Sequence, residues 1–353
     1  MSHLNELFDG PDVLVKKEFL QFTGSFKERG ARYALMKLSP EQKKIGVIAA
    51  SAGNHALALA YHGMKLNVPV TVVCPVTAPI MKVQKCRKLQ ANVIIHGEEF
   101  DTSRCYALKL AKEKGFLYIN GYDHPDVIAG QGTIGLEILA EVPDCDAVIV
   151  PVGGGGLISG IARAVKSLKP DIEVIGVEAE TCPGFSAALE AGKPVKIQSK
   201  PGLADGLAVS LVGPNAVETC KHLVDKMVTV SEDYIALSIL RMVEMEKTVV
   251  EGGSAVCFAA LLEGKLTHLR DKKKVVCVLS GGNIDTTILG RCLDRGLAAD
   301  GRLMRMSAVV SDRPGGISTI TDIISQLGAG IKDITHERAW IKGNVFAVKV
   351  ILN

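Results

Sequence analysis

Short runs of β-branched residues alternate with helical patterns along most of the 353-residue chain, and this alternation limits its fold more than any other feature. The strand-like runs are residues 47–50, 70–73, 92–95, 147–150, 174–177 and 275–279. Apolar residues at helical spacing cover residues 55–66, 79–89, 102–114 and 161–168. Because parallel strands need such crossovers, the order predicts an α/β protein with two parallel sheets.

The pattern changes after residue 301. Residues 306–310 predict a strand, residues 317–327 a helix, and residues 331–339 and 345–352 two more strands, with a loop at residues 312–316. This βαββ order predicts a small α+β module that lacks a closing helix and strand.

Composition favours a globular protein that binds a small molecule. The 47% hydrophobic residues can bury a large core, and the 41 basic and 38 acidic residues leave a net charge of +3 without a block typical of nucleic-acid binders. The uncharged stretch 147–162 is too short to span a membrane, and residues 1–8 have no apolar signal-peptide core. Nine cysteines without a C-x-x-C pair predict buried thiols in a reducing compartment. We therefore expect a soluble, cytoplasmic protein.

Residues 24–27, Gly-Ser-Phe-Lys, place Lys27 beside an aromatic side chain. A lysine that forms an imine must spend time deprotonated, so it requires a site of low dielectric or a second cation nearby. Taken alone, the segment favours a surface lysine whose stem packs on apolar neighbours. Lys27 becomes a candidate for imine formation only in combination with three later motifs.

The first of these is the glycine run Gly153 to Gly156, which follows a hydrophobic strand and precedes a helix. Backbone N–H groups can converge there with the positive end of the helix, so a phosphate is the expected ligand. A dinucleotide-binding G-x-G-x-x-G motif does not fit, because Ile158 or Ser159 occupies the position of its last glycine. A P-loop does not fit either, because no Lys-Ser or Lys-Thr follows the glycines. A tightly packed turn without a ligand remains the alternative.

The second is Ser51-Ala52-Gly53-Asn54-His55, between a predicted strand and a predicted helix. Ser51 and the following amides can receive a carboxylate, and the Asn54 amide can bond a phenolate-type oxygen. The alternative is an N-cap with an asparagine in left-handed geometry, and helix capping is the favoured interpretation of His55.

The third is Ser280-Gly281-Gly282-Asn283, again at a strand end. A serine hydroxyl beside a pyridine nitrogen leaves the ring less protonated than an aspartate would, which favours prompt loss of a β-substituent over long-lived carbanion chemistry. A Ser-Gly-Gly turn without a ligand is the alternative.

In this order, the four motifs resemble those of the serine/threonine dehydratases among the fold type II pyridoxal-phosphate enzymes, relatives of serine racemase, over roughly residues 12–298. The resemblance implies that Lys27 is the Schiff-base lysine, that Phe26 lies against the cofactor ring and that Asn54 lies at the ring hydroxyl. It also implies a phosphate cradle of Gly153, Gly154, Gly155, Gly156 and Leu157, and Ser280 at the pyridine nitrogen. Ser51, Ala52, His55 and Gly206 match substrate-binding positions.

The resemblance implies deamination of L-threonine or L-serine by elimination of water, giving 2-oxobutyrate or pyruvate and ammonia. Lys27 would be the base at Cα, and the cofactor phosphate the acid for the departing hydroxide. A serine racemase or a β-replacement synthase of the same fold is the alternative within the enzymes. A non-catalytic amino-acid-binding or assembly protein is the alternative outside them.

Three departures from the family pattern stand out. Racemases carry a serine where this chain has Ala52, so racemisation is disfavoured. Glu178 matches an acidic cation ligand, but Gly184 replaces the aspartate of a divalent site, which leaves a monovalent cation or, as the favoured interpretation, a surface glutamate. The helix and strand that relatives place before Lys27 are expected to be missing.

The predicted domains are a large cofactor-binding domain of residues 1–40 and 125–300, a small substrate-loop domain of residues 41–124, and a third module of residues 305–353. The third module resembles the first half of an ACT domain, which implies an amino-acid effector near residues 312–316. A plain packing module is the alternative. We also expect a homo-oligomer.

Overall fold

The computed structural model describes residues 3–8, 10–341 and 344–353. Residues 1, 2, 9, 342 and 343, which fall within the predicted ranges 1–40 and 305–353, lie outside the described residues. The chain forms two compact units, one ending at Gly296 and the other starting at Leu297. Among the described helices, none combines the length and the apolar character needed to cross a membrane.

The chain contains twelve described strands and thirteen described α-helices. The strands are β1 (Asp12–Lys17), β2 (Val47–Ala50), β3 (Val70–Cys74), β4 (Asn92–Ile95), β5 (Leu117–Tyr118), β6 (Ala147–Pro151), β7 (Glu173–Ala179), β8 (Lys226–Val230), β9 (Lys274–Leu279), β10 (Met306–Ser311), β11 (Ile334–Glu337) and β12 (Ala347–Leu352). The helices are α1 (Lys27–Met36), α2 (Pro40–Ile45), α3 (Asn54–Leu66), α4 (Ile80–Lys88), α5 (Phe100–Lys114), α6 (Pro125–Glu141), α7 (Gly156–Leu168), α8 (Gly184–Ala191), α9 (Pro214–Cys220), α10 (Glu232–Glu244), α11 (Gly252–Leu262), α12 (Thr286–Ala299) and α13 (Gly316–Gln326). Short 3-10 segments cover His3–Leu7, Glu18–Leu20, Asp205–Leu207 and Thr267–Asp271.

Two parallel sheets organise the first unit, which confirms the predicted α/β class. The larger has the order β1-β9-β6-β7-β8 and the smaller β4-β3-β2-β5. Every predicted strand and helix is present, with ends shifted by a few residues; the helix predicted from residue 161, for example, begins at Gly156. The division of this unit into a large and a small domain stays a prediction.

Both faces of the larger sheet are buried. Ile149 packs with α10 and α11 on one face, whereas its neighbours Val148 and Val150 pack with α6 and α7 on the other. Strands buried on both faces become continuous apolar runs, and all five residues of β6 are buried accordingly. This packing fixes the carboxyl ends of β6 and β9 side by side.

The strand that was expected to be missing before Lys27 is present as β1. It pairs in parallel with β9 at the edge of the larger sheet, from Asp12 opposite Lys274 to Lys17 opposite Leu279. The expectation was wrong because Asp-Val-Leu-Val-Lys-Lys is too polar at its ends to resemble a buried strand. An edge strand tolerates those lysines, because one side of it lacks a neighbouring strand.

The cysteine prediction needs one correction. Eight of the nine cysteines are buried thiols, but Cys105 is exposed on α5. Helical periodicity explains this difference, because α5 buries Ser103 and Ala107 and turns the intervening Cys105 outward.

The second unit has the predicted βαββ order of β10, α13, β11 and β12. Its strands form an antiparallel sheet in the order β10-β12-β11. Val348, Val350 and Leu352 of the central strand pack with apolar residues of α13 and form a small core. The ACT assignment of this unit stays a prediction.

Candidate active site

A cavity of about 530 Å³ opens at the carboxyl ends of β2, β6 and β9. Ligands of parallel α/β sheets usually bind at this edge, and the volume suits a cofactor-sized molecule. All the predicted cofactor- and substrate-binding residues line it: Phe26, Lys27, Ser51, Ala52, Asn54, His55, Gly153, Gly154, Gly155, Gly156, Leu157, Gly206 and Ser280. Their individual roles stay predictions.

Lys27 is the first residue of α1, and its side chain projects into this cavity rather than onto the surface. Its ammonium donates a hydrogen bond to the Gly121 carbonyl at 2.6 Å and lies 5.0 Å from the centre of the Phe26 ring. Burial lowers the pKa of Lys27 to about 8, although the nearby Glu251 carboxylate raises it. The surface lysine favoured by the segment alone is therefore wrong, and the lowered pKa makes the free amine of Lys27 more accessible near neutral pH than that of an ordinary lysine.

The main chain ties Lys27 to the end of β9. The Phe26 amide donates to the Ser280 carbonyl at 2.9 Å, and Ser25 forms an antiparallel bridge with Gly281. Ser280 is buried at the strand end and lines the cavity. The lysine and the serine hydroxyl therefore face the same space across a short, backbone-bonded span.

The glycine run forms a loop that accepts no side chain. A Cβ would lie 2.9 Å from Leu207 at Gly153, 2.3 Å from the Tyr122 ring at Gly154 and 2.4 Å from the Tyr122 carbonyl at Gly156. At Gly155 it would lie 2.1 Å from the Phe185 ring, and Gly155 also has φ of +93°. Only glycine fits this backbone, which is the kind of loop whose amides surround a phosphate.

The start of α7 completes this cradle. Gly155 is the N-cap of α7 and lacks a capping side chain, so the first amides of the helix face the cavity rim without an intrahelical partner. Orphan amides at the positive end of a helix favour a phosphate group. Together with a lysine of lowered pKa, this donor set fits an aldehyde that carries a phosphate monoester, as pyridoxal phosphate does.

Asn54 is the first residue of α3 and is held from two sides. Its Nδ2 donates to both carboxylate oxygens of Glu251, at 2.8 and 3.1 Å, and its Oδ1 accepts from Asn283 at 2.9 Å. The alternative of an asparagine in left-handed geometry is wrong, because Asn54 begins a regular helix after Gly53. Burial raises the pKa of Glu251, and the Asn54 hydrogen bonds oppose that effect.

His55 does not cap α3, so the capping interpretation is wrong. Its Nε2 donates to the Ile119 carbonyl at 3.0 Å, and its Nδ1 is buried without a partner among the described residues. Burial and the charges of Lys27 and His124 lower its pKa to about 3, so the ring is neutral. Ser51 Oγ accepts from the Gly53 and Ala56 amides, which anchors the loop that lines the cavity.

Glu178 lies outside the residues that line the cavity, and it is buried rather than on the surface. The favoured surface interpretation is wrong because Glu178 lies in β7, inside the larger sheet. Its carboxylate accepts from the Phe185 amide at 2.7 Å and from the amide and hydroxyl of Ser186 at 2.9 and 2.6 Å. Burial raises its pKa despite these bonds. A monovalent cation there stays a prediction.

Among the cavity residues that were not predicted, three contact or adjoin the predicted ones. Gly121 holds Lys27, Tyr122 packs against the glycine run, and Arg104 faces the cavity from α5 beside Tyr118, with its Nε unpaired among the described residues. Gly121 and Tyr122 follow the two-residue strand β5, which is too short to give a periodic signal. Arg104 lies in a helix with many charges, where composition cannot distinguish a cavity residue from a solvated one.

Comparisons with known proteins agree with this geometry. Residues 1–281 match the family model described as pyridoxal-phosphate dependent enzyme. The chain is 44% identical over 338 residues to an L-threonine ammonia-lyase of Thermotoga maritima, covering 96% of this chain and 83% of that protein.

Two solved structures are also similar. Threonine deaminase isoform 2 from Solanum lycopersicum superposes with a TM-score of 0.78 at 37% identity, over 83% of this chain and 85% of that one. Serine racemase from Dictyostelium discoideum superposes with a TM-score of 0.75 at 36% identity, over 80% of this chain and 90% of that one. The sheets, the lysine-bearing cavity and these matches agree, and the chain belongs to the pyridoxal-phosphate dependent enzymes of fold type II.

Proposed function

We propose that this protein is an L-threonine ammonia-lyase, which eliminates water from L-threonine and takes up water again as ammonia leaves, so that the net products are 2-oxobutyrate and ammonia. The observation that carries the proposal is the buried Lys27 ammonium, 2.6 Å from the Gly121 carbonyl, in the cavity that the glycine run and Ser280 also line. The 44% identity to an L-threonine ammonia-lyase over 96% of the chain supports the choice of substrate.

Pyridoxal phosphate, when bound, supplies an aldehyde that joins an amine and a ring that withdraws electrons from Cα. The amides of Gly153 to Leu157 would hold its phosphate, Phe26 would pack against its ring, and the Ser280 hydroxyl would face the ring nitrogen. The Asn54 amide would face the ring hydroxyl.

Lys27 is the residue best placed to move a proton at the substrate. A lysine of ordinary pKa, about 10.4, is almost fully protonated at neutral pH and is a poor base. Burial in the cavity lowers the pKa of Lys27 to about 8, which brings it into the range where a general base works efficiently. After release from the cofactor, its amine would take the Cα proton.

The loop from Ser51 to His55 would receive the substrate carboxylate. Ser51 is fixed by the Gly53 and Ala56 amides, and neutral His55 braces the loop against Ile119 without adding charge. L-Serine, which lacks only the methyl group of L-threonine, is the second substrate we propose. Ala52 offers no proton on the opposite face of Cα, which disfavours a racemase.

The test combines activity with chemistry at Lys27. The purified protein should release 2-oxobutyrate from L-threonine, and borohydride reduction should attach pyridoxal phosphate to Lys27, as located by mass spectrometry. Lys27→Ala should fold normally and lose both. Release of 2-oxobutyrate at the native rate by Lys27→Ala would refute the assignment, and attachment of the cofactor without turnover of any amino acid would favour a non-catalytic binding protein.

We also propose that residues 305–353 form an ACT-like effector module and that the protein is a homo-oligomer. Support for the module comes from its βαββ order and its single-sided core under α13. An amino acid that is not a substrate should alter the activity of the native protein. That response should be absent after deletion of residues 303–353, while turnover persists. If no amino acid changes the native activity, the module only mediates packing.

A further inference from the structure

Glu28 and His62 form a buried pair between α1 and α3. His62 Nε2 donates to a Glu28 carboxylate oxygen at 3.0 Å, and both side chains are less than a tenth exposed. Burial would raise the pKa of Glu28, but the hydrogen bonds from His62 and Thr23 outweigh burial and lower it. Glu28 is therefore a carboxylate that keeps its partners across the neutral range. Neither residue lines the cavity.

The pair closes a circuit of hydrogen bonds around the catalytic lysine. The other carboxylate oxygen of Glu28 accepts from the Thr23 amide, and the Thr23 carbonyl accepts from Asn283 Nδ2 at 2.7 Å. The same Nδ2 donates to Asn54 Oδ1 at 2.9 Å. Asn54 and His62 both belong to α3, so the helix itself completes the circuit.

The circuit connects the two helices whose first residues face the cofactor site. Lys27 begins α1 directly before Glu28, and Asn54 begins α3 about 12 Å along the helix axis from His62, given a rise of about 1.5 Å per residue. A rigid helix fixed at both places cannot tilt without breaking one of these bonds. The separation of Lys27 from Asn54 therefore depends in part on Glu28 and His62, which lie outside the cavity.

We propose that Glu28 and His62 are positioning residues for the reaction, which hold the Lys27 amine in register with Asn54. This inference rests on the proposed function only where its test measures the turnover of L-threonine. Lys27 must reach first the cofactor aldehyde and then the substrate Cα, and a displacement of about 1 Å can reduce such a rate about a hundredfold. Because the pair does not touch the cavity, it acts on the rate only through the placement of the residues at the starts of α1 and α3.

The test compares His62→Gln with His62→Asn. The glutamine amide nitrogen reaches the position of His62 Nε2 and can still donate to Glu28, whereas the asparagine amide is too short. His268→Asn is a control for the loss of a histidine–glutamate pair as such, because His268 pairs with Glu173 at 2.9 Å in a more exposed place away from the cavity. Should His62→Asn fail to fold, Glu28→Met replaces it, since a methionine of similar length removes both of the oxygens that accept from His62 and Thr23.

Two quantities are measured at a temperature where every variant is folded. The first is kcat and KM for L-threonine; the second is the rate at which pyridoxal phosphate attaches to Lys27 of the apoprotein, trapped by borohydride. His62→Asn should lower kcat and the attachment rate about tenfold to a hundredfold, while His62→Gln and His268→Asn stay near the native values.

Native kcat and attachment rate in His62→Asn would overturn the inference, as would an equal loss in His268→Asn, which would mark a general effect of instability. The attachment rate separates this proposal from the proposed function. If the native protein does not turn over L-threonine, the proposed function fails, yet slowed attachment in His62→Asn alone would still support the positioning role.

Discussion

The Lys27 ammonium donates to the main-chain carbonyl of Gly121 at 2.6 Å, although the two residues are 94 positions apart in the sequence. Gly121 follows β5 of the smaller sheet, whereas the Lys27 segment is bonded to the end of β9 in the larger sheet. The Lys27 amine therefore lies where the two sheets meet, in a cavity whose low dielectric lowers its pKa.

The rate of cofactor attachment to Lys27 should rise with pH and level off above a midpoint near 8. Only the neutral amine attacks an aldehyde, and burial lowers the pKa of Lys27 to about 8. Glu251→Gln removes a negative charge that raises this pKa, so its midpoint should fall below that of the native protein. A quenched-flow series with borohydride as the quench gives the midpoint of the attachment rate for both proteins. A native midpoint near 10, or a higher midpoint in Glu251→Gln, would contradict the lowered pKa of Lys27.

Gly155→Ala should abolish cofactor binding, whereas Gly192→Ala should leave it intact. Both glycines have positive φ, at +93° and +67°, so both substitutions pay the left-handed strain of about 1–2 kcal/mol. Only at Gly155 does the added Cβ also collide, 2.1 Å from Phe185, while Gly192 has open space around it. Urea unfolding and a titration with pyridoxal phosphate measure the two effects. Equal cofactor affinity in both variants would show that the glycine run is not the phosphate cradle.

Ser280→Asp should slow elimination and increase side reactions. An aspartate beside the ring nitrogen favours a protonated pyridine, which prolongs carbanion lifetime instead of prompt loss of the β-substituent. Ser280→Thr, which keeps a hydroxyl, is the matched control and should retain the native product ratio. The products from L-threonine and L-serine are quantified by chromatography. An unchanged rate and product ratio in the aspartate variant would reduce Ser280 to a turn residue.

The native protein should release 2-oxoacid from L-serine with little D-serine. Lys27 reaches one face of Cα, and inversion needs a proton donor on the other face, which Ala52 cannot supply. Ala52→Ser adds a hydroxyl to the cavity loop, so some D-serine should appear. Chiral chromatography after incubation with L-serine distinguishes an ammonia-lyase from a racemase. Abundant D-serine from the native protein would overturn the ammonia-lyase proposal, and its absence from both proteins would show that Ala52 does not control the outcome.

Where the sequence alone succeeded, it relied on residues whose local pattern carries the structural information. The buried strands of both sheets are continuous apolar runs, and Gly153 to Gly156 and Ser280 follow such runs directly. Because parallel strands bring their carboxyl ends to one edge of a sheet, the sequence alone predicts that these motifs lie close together.

The wrong interpretations of Lys27, Glu178 and His55 share a different cause, since the surroundings of each depend on distant parts of the chain. The sequence around Glu178 is typical of a surface residue, but Glu178 lies in β7 inside the sheet. The position of His55 is typical of a helix cap, but its Nε2 donates to the Ile119 carbonyl instead. Gly121 lies 94 positions from Lys27, and His62 lies 34 positions from Glu28. Local sequence patterns do not show which distant residues come into contact.

The bridge between Ser25 and Gly281, with the Phe26 amide on the Ser280 carbonyl, is made of main-chain atoms alone. The spacing between Lys27 and residue 280, the proposed partner of the ring nitrogen, therefore does not depend on which side chain occupies position 280. An enzyme built in this way can exchange the group that tunes its cofactor without moving the group that holds it. Reaction type then becomes a property of single side chains, which selection or an engineer can change one at a time on a frame that stays constant.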